Sequence, residues 1–381
     1  MNKPKGSLRI LHIVLSIGET SAPYNEHCLP WADKHDITIC TFFGSDIDPA
    51  KTITYFEGDG SLKGFIRTLN SALVGKDYDI IHAHSPHVGL LFLVVMLFSY
   101  QKSARSTVVT VHDSYQNYKL RNRLMFLPVF ASFKRVVCCS RASFDSFPTL
   151  YKRLAGDRLC VVQNGLDIDR VDRIAAITGL PNRQTSNFRI KAISRLVGIK
   201  NPTSLLTAFQ QSADQTSRLT YIGDGPLRAA LVEQSRKAGF GHQIEFTGLI
   251  PREDVFKHLF NADIFISTSR GEGLPISVLE AMTCRCPVLL SDIPPHREIA
   301  ETVDFIPLIQ PDDIAGFAQE IKRFREMSEL DRAKLGEKCR TLVEKRFSLS
   351  AMHAGYAEVY AEILHDNASS ILDAARSVNV S

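Results

Sequence analysis

Short apolar runs alternate with polar or helical stretches along the whole chain. Each run reads as a buried strand, and a helical or polar stretch follows it. Such alternation predicts parallel sheets that are covered by helices on both faces. Twelve runs follow the pattern, six in each half of the chain: Arg9–Ser16, Ile37–Phe42, Asp79–His84, Thr107–His112, Arg135–Ser140, Cys160–Gln163, Phe188–Leu196, Arg218–Gly223, Ile244–Thr247, Ile264–Thr268, Pro287–Ser291 and Phe305–Leu308.

The number of strands indicates two domains. Twelve strands are too many for one doubly wound domain of usual size, and 381 residues exceed one typical domain. We therefore predict two Rossmann-like α/β domains, residues 1–165 and 166–346, because the composition turns polar after Asn164-Gly165. Ligands of such folds bind outside the carboxyl ends of the strands. Two facing domains of this kind would place a cleft between those edges.

Composition excludes several classes of protein. The chain is 44% hydrophobic and 23% charged, which is ordinary for a globular protein. Its longest apolar run, Val88–Tyr100, has thirteen residues, whereas a helix that spans a bilayer needs about 20. Eight cysteines without C-x-x-C spacing favour buried free thiols over a metal site. Leu8–Ser16 reads as a first strand rather than a signal peptide, so we expect a cytoplasmic protein.

Basic residues are concentrated in one segment. Gln101–Arg153 holds ten Lys and Arg but only two acids, Asp113 and Asp145. Between Tyr118 and Arg135 the basic residues are mixed with large apolar ones. Contact with an anionic membrane surface is one interpretation, and a helix with its apolar face in the core is the other. No nucleic-acid-binding module accompanies the charge, so we do not expect a nucleic-acid partner.

One segment combines two carboxylates with a helix start. Ser269-Arg-Gly-Glu-Gly-Leu-Pro-Ile-Ser-Val-Leu-Glu-Ala-Met282 contains Glu272 and Glu280 with seven residues between them. Pro275 suits the first position of a helix, which places Glu272 in the preceding loop and Glu280 inside the helix. Backbone N–H groups at such a start favour an anion. The segment therefore predicts a site for a nucleotide-sugar, and core packing of a short apolar helix is the alternative.

Three further groups lie at strand ends. Arg195 and Lys200 follow one strand, where two cations suit a diphosphate that gains charge as it departs. Gly223 opens a Gly-Asp-Gly loop that permits close approach of the backbone. His112, in Thr110-Val-His-Asp113, suits a hydrogen bond to a sugar hydroxyl or the shielding of positive charge. Each group taken alone is equally compatible with a structural role.

Together these residues resemble family 4 of the glycosyltransferases, which have the GT-B fold of two Rossmann-like domains. The resemblance covers the chain from Arg9 to about Tyr360. Its carriers occur in the family's order: Asp79-Ile-Ile-His-Ala-His84, Thr110-Val-His-Asp113, Val162-Gln-Asn-Gly-Leu-Asp167, Arg195 with Lys200, Tyr221-Ile-Gly-Asp-Gly-Pro226, Phe246-Thr-Gly-Leu-Ile250 and the two glutamates that precede Pro287-Val.

The resemblance implies a role for each site residue. Glu272 is expected to contact hydroxyls of the transferred sugar, and Glu280 the ribose of the nucleotide. Arg195 and Lys200 are expected to bind the diphosphate, and His112 to lie beside the donor sugar. Glu272, Arg195, Lys200 and His112 are thus the implied catalytic residues. The remaining implied contacts to the donor come from Glu280, Gly273, Leu274, Pro275, Gly223, Ile250 and Gly18.

The implied reaction is a metal-independent, retaining transfer of a sugar from a nucleotide-sugar to a glycan or lipid-linked acceptor. No cofactor is expected besides that donor. The implied setting is polysaccharide or glycolipid biosynthesis in the cytoplasm, peripheral to the inner face of the membrane. Residues 347–381 are expected to form a helix and tail that return to the N-terminal domain. A nucleotide-sugar epimerase and a catalytically silent homologue are the alternatives.

The chain departs from the family pattern at three positions. The loop after the first strand, Ser16-Ile-Gly-Glu-Thr-Ser21, has only Gly18 where the family usually has two glycines. This change leaves the contacts of that loop with acceptor or phosphate open, and it favours the silent alternative. Ser194 and Arg285 each replace a residue that is often glycine in the family.

Overall fold

The computed structural model describes residues 6–19, 21–74, 76–98, 106–178 and 187–378. Contacts divide the chain into two compact units, residues 1–163 with 350–381 and residues 164–349. Each unit contains one parallel sheet with helices around it, so the predicted α/β class is confirmed.

The sheet of the first unit has seven parallel strands in the order β3-β2-β1-β4-β5-β6-β7. The chain extends from β1 toward one edge and from β4 toward the other, so the boundary between β1 and β4 is a topological switch point. Such points are where open α/β sheets bind ligands. The strands are β1 (Arg9–Val14), β2 (Asp36–Thr41), β3 (Thr54–Phe56), β4 (Ile80–Ala83), β5 (Thr107–Val111), β6 (Arg135–Cys138) and β7 (Leu159–Val161).

The sheet of the second unit has six parallel strands in the order β10-β9-β8-β11-β12-β13. This is the order of a dinucleotide-binding sheet, and its switch point lies between β8 and β11. The strands are β8 (Phe188–Ile193), β9 (Ser217–Ile222), β10 (Ile244–Phe246), β11 (Ile264–Ser267), β12 (Val288–Ser291) and β13 (Leu308–Ile309).

Fifteen α-helices accompany these strands in the described part of the chain. Several of them begin at a serine or aspartate whose side chain accepts a hydrogen bond from the first turn, which stabilises a helix start, among them Ser61, Ser140, Asp167, Asp313 and Ser328. The helices are α1 (Leu29–Trp31), α2 (Leu62–Leu73), α3 (Pro86–Phe98), α4 (Leu120–Ser132), α5 (Arg141–Ser146), α6 (Thr149–Ala155), α7 (Ile168–Thr178), α8 (Pro202–Ser212), α9 (Arg228–Lys237), α10 (Arg252–Phe260), α11 (Ile276–Thr283), α12 (Pro294–Ala300), α13 (Ile314–Glu326), α14 (Glu329–Arg346) and α15 (Leu349–Val378).

The expected count of six strands in the first half was wrong by one. The missed strand, β3, has only three residues and lies at the sheet edge, and its first residue Thr54 is exposed. An edge strand of this kind has no buried apolar run, which was the signal used for the others. Each of the twelve predicted runs contains or overlaps an observed strand.

The chain passes between the units at two adjacent segments. Leu166 N donates to Phe347 O at 2.9 Å, and Leu349 N donates to Leu166 O at 3.0 Å. Gly165 fits between them because a Cβ there would lie 2.4 Å from Ser348 O. These bonds place Asn164–Leu166 with the second unit. The polar stretch 166–187 that suggested the boundary includes residues 179–186, which lie outside the described residues.

The C-terminal helix α15 packs on the first unit. Its buried side chains lie at the helical spacings that the sequence predicted: Met352, Tyr356, Val359, Tyr360 and Ile363. Arg135 of β6 also pairs with two acids of α15, Glu362 at 3.2 Å and Asp366 at 3.3 Å. The last stretch of the chain therefore returns to the unit that contains the first strand.

Helix α4 lies within the basic segment Gln101–Arg153 and carries two of its basic residues, Arg121 and Arg123. Its buried face fits the core interpretation, and membrane contact stays a prediction. Phe126, Val129 and Phe130 are buried in the core of the first unit. On the opposite side Leu120 and Leu124 are 74% and 60% exposed. The basic residues 102 and 105 of this segment lie outside the described residues. Among the described helices, none is long and apolar enough to cross a bilayer.

Candidate functional site

The loops after β8 and β11 meet at the switch point of the second unit's sheet. Asn201 adopts a left-handed backbone conformation (φ 52°) at the start of α8. Its carbonyl accepts a hydrogen bond from Thr268 Oγ1 at 2.9 Å, which ties the first loop to the second. The tie holds Lys200, which precedes Asn201, beside Glu272. The sheet order thus brings together two residues that are 72 positions apart in the chain.

Glu272 contacts one cation and one hydroxyl. Its Oε2 lies 2.5 Å from Lys200 Nζ, and its Oε1 accepts a hydrogen bond from Ser269 Oγ at 2.7 Å. The side chains of Lys200 and Glu272 are 19% and 11% exposed. The pair is therefore mostly buried but keeps a small area that is accessible to solvent. A ligand that carries hydroxyls next to an anionic group would match both partners.

A buried hydrogen-bond chain continues from Ser269. Ser291 Oγ donates to Ser269 O at 2.5 Å, and His296 Nδ1 lies 2.8 Å from Ser291 O. A carbonyl oxygen can only accept a hydrogen bond, so Nδ1 carries the ring proton of neutral His296. Burial lowers the pKa of His296 to about 4, which keeps the imidazole neutral at neutral pH. Neither Ser291 nor His296 was assigned to the site from the sequence, because no motif spacing marks them.

Glu280 lies inside α11, as expected, and it is buried. Its Oε1 lies 2.6 Å from Nη2 of Arg252, the first residue of α10. Burial raises the pKa of Glu280, and the charges of Arg252 and Arg170 oppose that rise. The sequence did not indicate Arg252 as the partner, because the contact joins two separate helices.

Arg252→Ala is expected to lower the free energy of unfolding of the second unit by about 3 kcal/mol at pH 8, because it leaves a buried carboxylate without its cation. The loss should be smaller at pH 5.5. The raised pKa of Glu280 means that the folded unit binds the proton more tightly than the unfolded chain, so stability falls as pH rises. Urea unfolding followed by circular dichroism at both pH values measures the effect.

Arg236→Ala is the matched control for that experiment. Arg236 pairs with Glu233 at 3.0 Å on an exposed surface of the same unit. Exposed pairs contribute little, so this variant should unfold like the wild type. Equal losses in the two variants, or a loss in Arg252→Ala that does not change with pH, would contradict the assignment.

The helix start at α11 differs from the prediction in one detail. Pro275 is the residue before the helix, in an extended conformation, and Ile276 is the first helical residue. The ψ of 100° at Pro275 lies outside the helical range, so the chain turns into the helix one residue later than expected. Gly273, Leu274 and Pro275 are all buried beside Glu272 in sequence.

The remaining predicted residues of the second unit lie at or next to strand ends. Arg195 is exposed on the loop after β8, and Ile250 is half-buried after β10. Gly223 follows β9 with φ 129°, and a Cβ there would lie 2.2 Å from Ser194 O. The glycine is therefore required by the protein's own backbone, independently of any ligand. Arg285, which replaces a frequent glycine, does adopt a positive φ of 57°.

Five histidines gather in the first unit; we call them the histidine cluster: His12, His27, His82, His84 and His112. His12 and His82 are opposite each other on β1 and β4. His12 Nδ1 lies 2.8 Å from His84 Nε2, and His84 Nδ1 lies 3.4 Å from His112 Nε2. A line of imidazoles therefore leads from the buried sheet to His112, which is half-buried.

His82 has a structural role in this cluster. One ring nitrogen lies 2.7 Å from Thr110 Oγ1, and the other lies 2.7 Å from the Tyr360 hydroxyl. The Tyr356 hydroxyl lies 3.0 Å from Thr110 Oγ1. Both ring nitrogens of His82 are thus engaged, and they tie α15 to the sheet. His82 lies within β4, which continues to Ala83.

The cluster is neutral at neutral pH. Burial is the largest cause, and it lowers the pKa of His12 to about 3 and that of His112 to about 4. It also lowers the pKa values of His27, His82 and His84 well below their ordinary value. A neutral His112 suits hydrogen bonding to a hydroxyl better than the shielding of charge.

Three members of the cluster lie close enough to share a metal ion. Candidate ligand atoms of His12, His82 and His84 fall within 4.8 Å of one another. Both ring nitrogens of His82 already contact hydroxyls, and His12 Nδ1 already contacts His84. This arrangement does not fit a set of three free ligands. The expectation of metal-independent chemistry stays a prediction.

Gly18 lies in the loop after β1. Its carbonyl accepts a hydrogen bond from Ser21 N at 3.0 Å. A Cβ at Gly18 would come no closer than 3.7 Å to its nearest neighbour, Asp46 Oδ2. The fold therefore does not itself require glycine at this position. Thr20, in the same loop, lies outside the described residues.

Two family models match the chain. The model described as Glycosyl transferases group 1 matches residues 181–341, and the model described as Glycosyltransferase Family 4 matches residues 31–170. The 2-deoxystreptamine N-acetyl-D-glucosaminyltransferase of Niallia circulans is 26% identical over 328 residues, which are 79% of this chain and 81% of that protein. The two models together span parts of both units.

Two further comparisons extend this similarity. The Escherichia coli UDP-Gal:alpha-D-GlcNAc-diphosphoundecaprenol alpha-1,3-galactosyltransferase is 23% identical over 339 residues, 84% of this chain and 83% of its own. The crystal structure of Anabaena HepE in complex with UDP and glucose matches with a TM-score of 0.73 at 19% identity, and covers 93% of this chain and 100% of its own. At this identity the structural likeness concerns the fold.

Proposed function

Because the chain belongs to the family 4 glycosyltransferases and has their GT-B fold, we propose that it transfers a sugar from a nucleoside diphosphate donor to a glycan or lipid-linked acceptor. The contact between Lys200 and Glu272 at the switch point carries the proposal. In a sugar diphosphate, hydroxyls and anionic phosphate flank one anomeric carbon. A carboxylate and a cation in direct contact match that chemistry.

In this proposal each partner changes its contact when the donor binds. Lys200 moves from Glu272 to the diphosphate, where exposed Arg195 joins it, and Glu272 accepts hydrogen bonds from sugar hydroxyls. Ser269 holds the other oxygen of Glu272 in place throughout. His112 is assigned to the transferred sugar and Glu280 to the ribose. Gly273, Leu274, Pro275, Gly223, Ile250 and Gly18 are assigned to the remaining donor contacts.

The chemical step follows from these charges. As the bond between sugar and diphosphate breaks, negative charge collects on the leaving phosphate. Lys200, in its shielded position, and exposed Arg195 offset that charge without a metal ion. A preorganised contact in a shielded site contributes on the order of 3 kcal/mol. The acceptor's hydroxyl oxygen is proposed to bond to the anomeric carbon on the face that the diphosphate leaves, and the leaving diphosphate takes the proton of that hydroxyl. Attack on that face retains the anomeric configuration. Neither glutamate then acts as a hydrolytic acid or nucleophile.

A lipid-linked acceptor is the version of this proposal that the surface of the first unit supports. Leu120 and Leu124 are exposed on α4 beside the exposed cation Arg121, a combination suited to an anionic membrane surface. Arg123, by contrast, is bound to the backbone of Tyr118 and Gln116. The E. coli relative's name also specifies a lipid-linked acceptor. We propose a cytoplasmic enzyme that works peripherally at the membrane.

A thermal-shift screen of nucleoside diphosphates and their sugar esters tests the donor proposal. One nucleotide series should raise the melting temperature, because a ligand at 100 times its Kd stabilises the fold by about 2.7 kcal/mol. Lys200→Ala should weaken the response to the nucleotide that the screen selects. A screen in which no nucleotide stabilises the protein at millimolar concentration would overturn the proposal.

A further inference from the structure

The first unit contains an apolar pocket that the donor proposal does not use. It has a volume of about 390 Å³, which lies in the range of small-molecule sites. Its lining includes Leu15 and Phe43, Leu90 and Leu91 of α3, and Met125 of α4. His87 is the one lining residue with a polar side chain. Phe43 is 50% exposed, a large apolar area to leave in water.

The position of this pocket is that of a ligand site. Leu15 directly follows β1, Phe43 follows β2, and α3 follows β4. These are the carboxyl ends of the strands around the switch point between β1 and β4, where open α/β sheets bind ligands. The corresponding point of the second unit presents Lys200 and Glu272, whereas the lining of this pocket is hydrocarbon apart from His87. The pocket therefore suits an apolar ligand.

The surroundings of the pocket indicate what kind of apolar ligand enters it. Met125 belongs to the same helix as the exposed Leu120 and Leu124, so α4 carries exposed apolar side chains outside the pocket as well. The same helix carries Arg121, whose side chain is exposed next to Leu120. A hydrocarbon chain attached to an anionic group matches this combination. A free sugar or a nucleotide base does not.

We propose that this pocket binds the hydrocarbon chain of a lipid-linked acceptor, next to its anionic linkage to the glycan. The inference rests on the proposed function, and it adds the part of the acceptor that the first unit recognises. The enzyme then recognises both the lipid and the sugar of its acceptor. An acceptor that lacks the chain binds more weakly even in the absence of a membrane.

Titration calorimetry with farnesyl diphosphate and inorganic diphosphate tests the proposal without a bilayer, below the concentration at which the lipid aggregates. Farnesyl diphosphate should bind the wild type at least about tenfold more tightly than inorganic diphosphate does, because burial of apolar area adds to the shared anionic contact. Phe43→Ser should reduce this preference by roughly tenfold. Phe43→Leu should retain most of it.

Leu150→Ser is the matched control, since Leu150 is an exposed leucine of α6 outside the pocket. It should leave the preference for farnesyl diphosphate unchanged. Equal affinity of the wild type for the two diphosphates, or a preference that Phe43→Ser does not reduce, would overturn the proposal. Circular dichroism of each variant establishes that it is folded.

Vesicle flotation separates the pocket from general membrane contact. With phosphatidylglycerol vesicles, Leu124→Ser should reduce binding and keep the preference for farnesyl diphosphate. If Phe43→Ser reduces flotation but leaves that preference intact, the pocket is a bilayer contact and the inference is wrong.

The thermal response to nucleotides reports on the proposed function separately, because Phe43→Ser should not affect that response. If the wild type shows no thermal response to nucleotides but still prefers farnesyl diphosphate, the donor proposal alone is contradicted.

Discussion

Lys200→Ala is expected to slow turnover by about 10²- to 10³-fold and to leave the protein folded. The ammonium group lies 2.5 Å from Glu272 at the switch point of the second unit. In the proposed reaction it offsets charge on the departing diphosphate, and loss of one such preorganised contact costs about 3–4 kcal/mol of transition-state stabilisation. Release of nucleoside diphosphate in the presence of acceptor measures the effect. Glu272→Gln should also be slow, because it weakens the hold on the sugar hydroxyls.

Lys237→Ala controls for the loss of a lysine from the same unit. Lys237 lies 3.4 Å from Glu233 in an exposed pair on α9, and its removal should leave turnover unchanged. If Lys200→Ala loses no more activity than Lys237→Ala, the site assignment is wrong. A partial rescue by Lys200→Arg would support a charge effect, since arginine keeps the cation but alters its geometry.

Acidification from pH 7.5 to 5.5 is expected to lower the free energy of unfolding of the first unit by several kcal/mol. In the histidine cluster the folded pKa values lie far below the unfolded value of about 6.5, to about 3 for His12 and about 4 for His112. Below pH 6.5 the unfolded chain therefore binds protons that the folded unit excludes. Each such histidine costs about 1.4 kcal/mol per pH unit. The cost grows until the pH approaches the folded values.

Urea unfolding followed by tryptophan fluorescence measures this dependence. The chain has a single tryptophan, Trp31, which is buried in the first unit next to Tyr360, so its signal reports on that unit. His12→Gln should make the pH dependence shallower by about one proton, because its imidazole is replaced by a group that does not titrate. Leu150→Ser, which removes no titratable group, should keep the wild-type slope. A stability that stays constant between pH 7.5 and 5.5 would contradict this account.

The sequence predicted most strands because each is a continuous apolar run between polar stretches. β5 (Thr107–Val111) is buried at every position and is therefore plain in the sequence. β3 is short and lies at an edge, and no periodic signal marks it. Some predicted strands were too long at their carboxyl ends. The predicted runs reached Ser16 and His112, whereas β1 ends at Val14 and β5 at Val111.

The candidate site was only partly visible in the sequence. Lys200 and Glu272 were identified by motif, but their direct contact depends on the neighbouring positions of β8 and β11 in the sheet. Arg252 and His296 carry no motif, and their relation to Glu280 and Ser291 appears only in the packed structure. Periodicity describes single elements, and contacts of this kind depend on the order in which elements pack.

The central claim is that the switch point of the second unit holds the nucleotide-sugar donor. A crystal structure of the protein with the nucleoside diphosphate selected by the thermal screen tests it most directly. We expect the diphosphate within hydrogen-bond distance of Lys200 and Arg195, with Lys200 released from Glu272, and the ribose on Glu280. A nucleotide bound away from the ends of β8 and β11, with the contact between Lys200 and Glu272 unchanged, would contradict it.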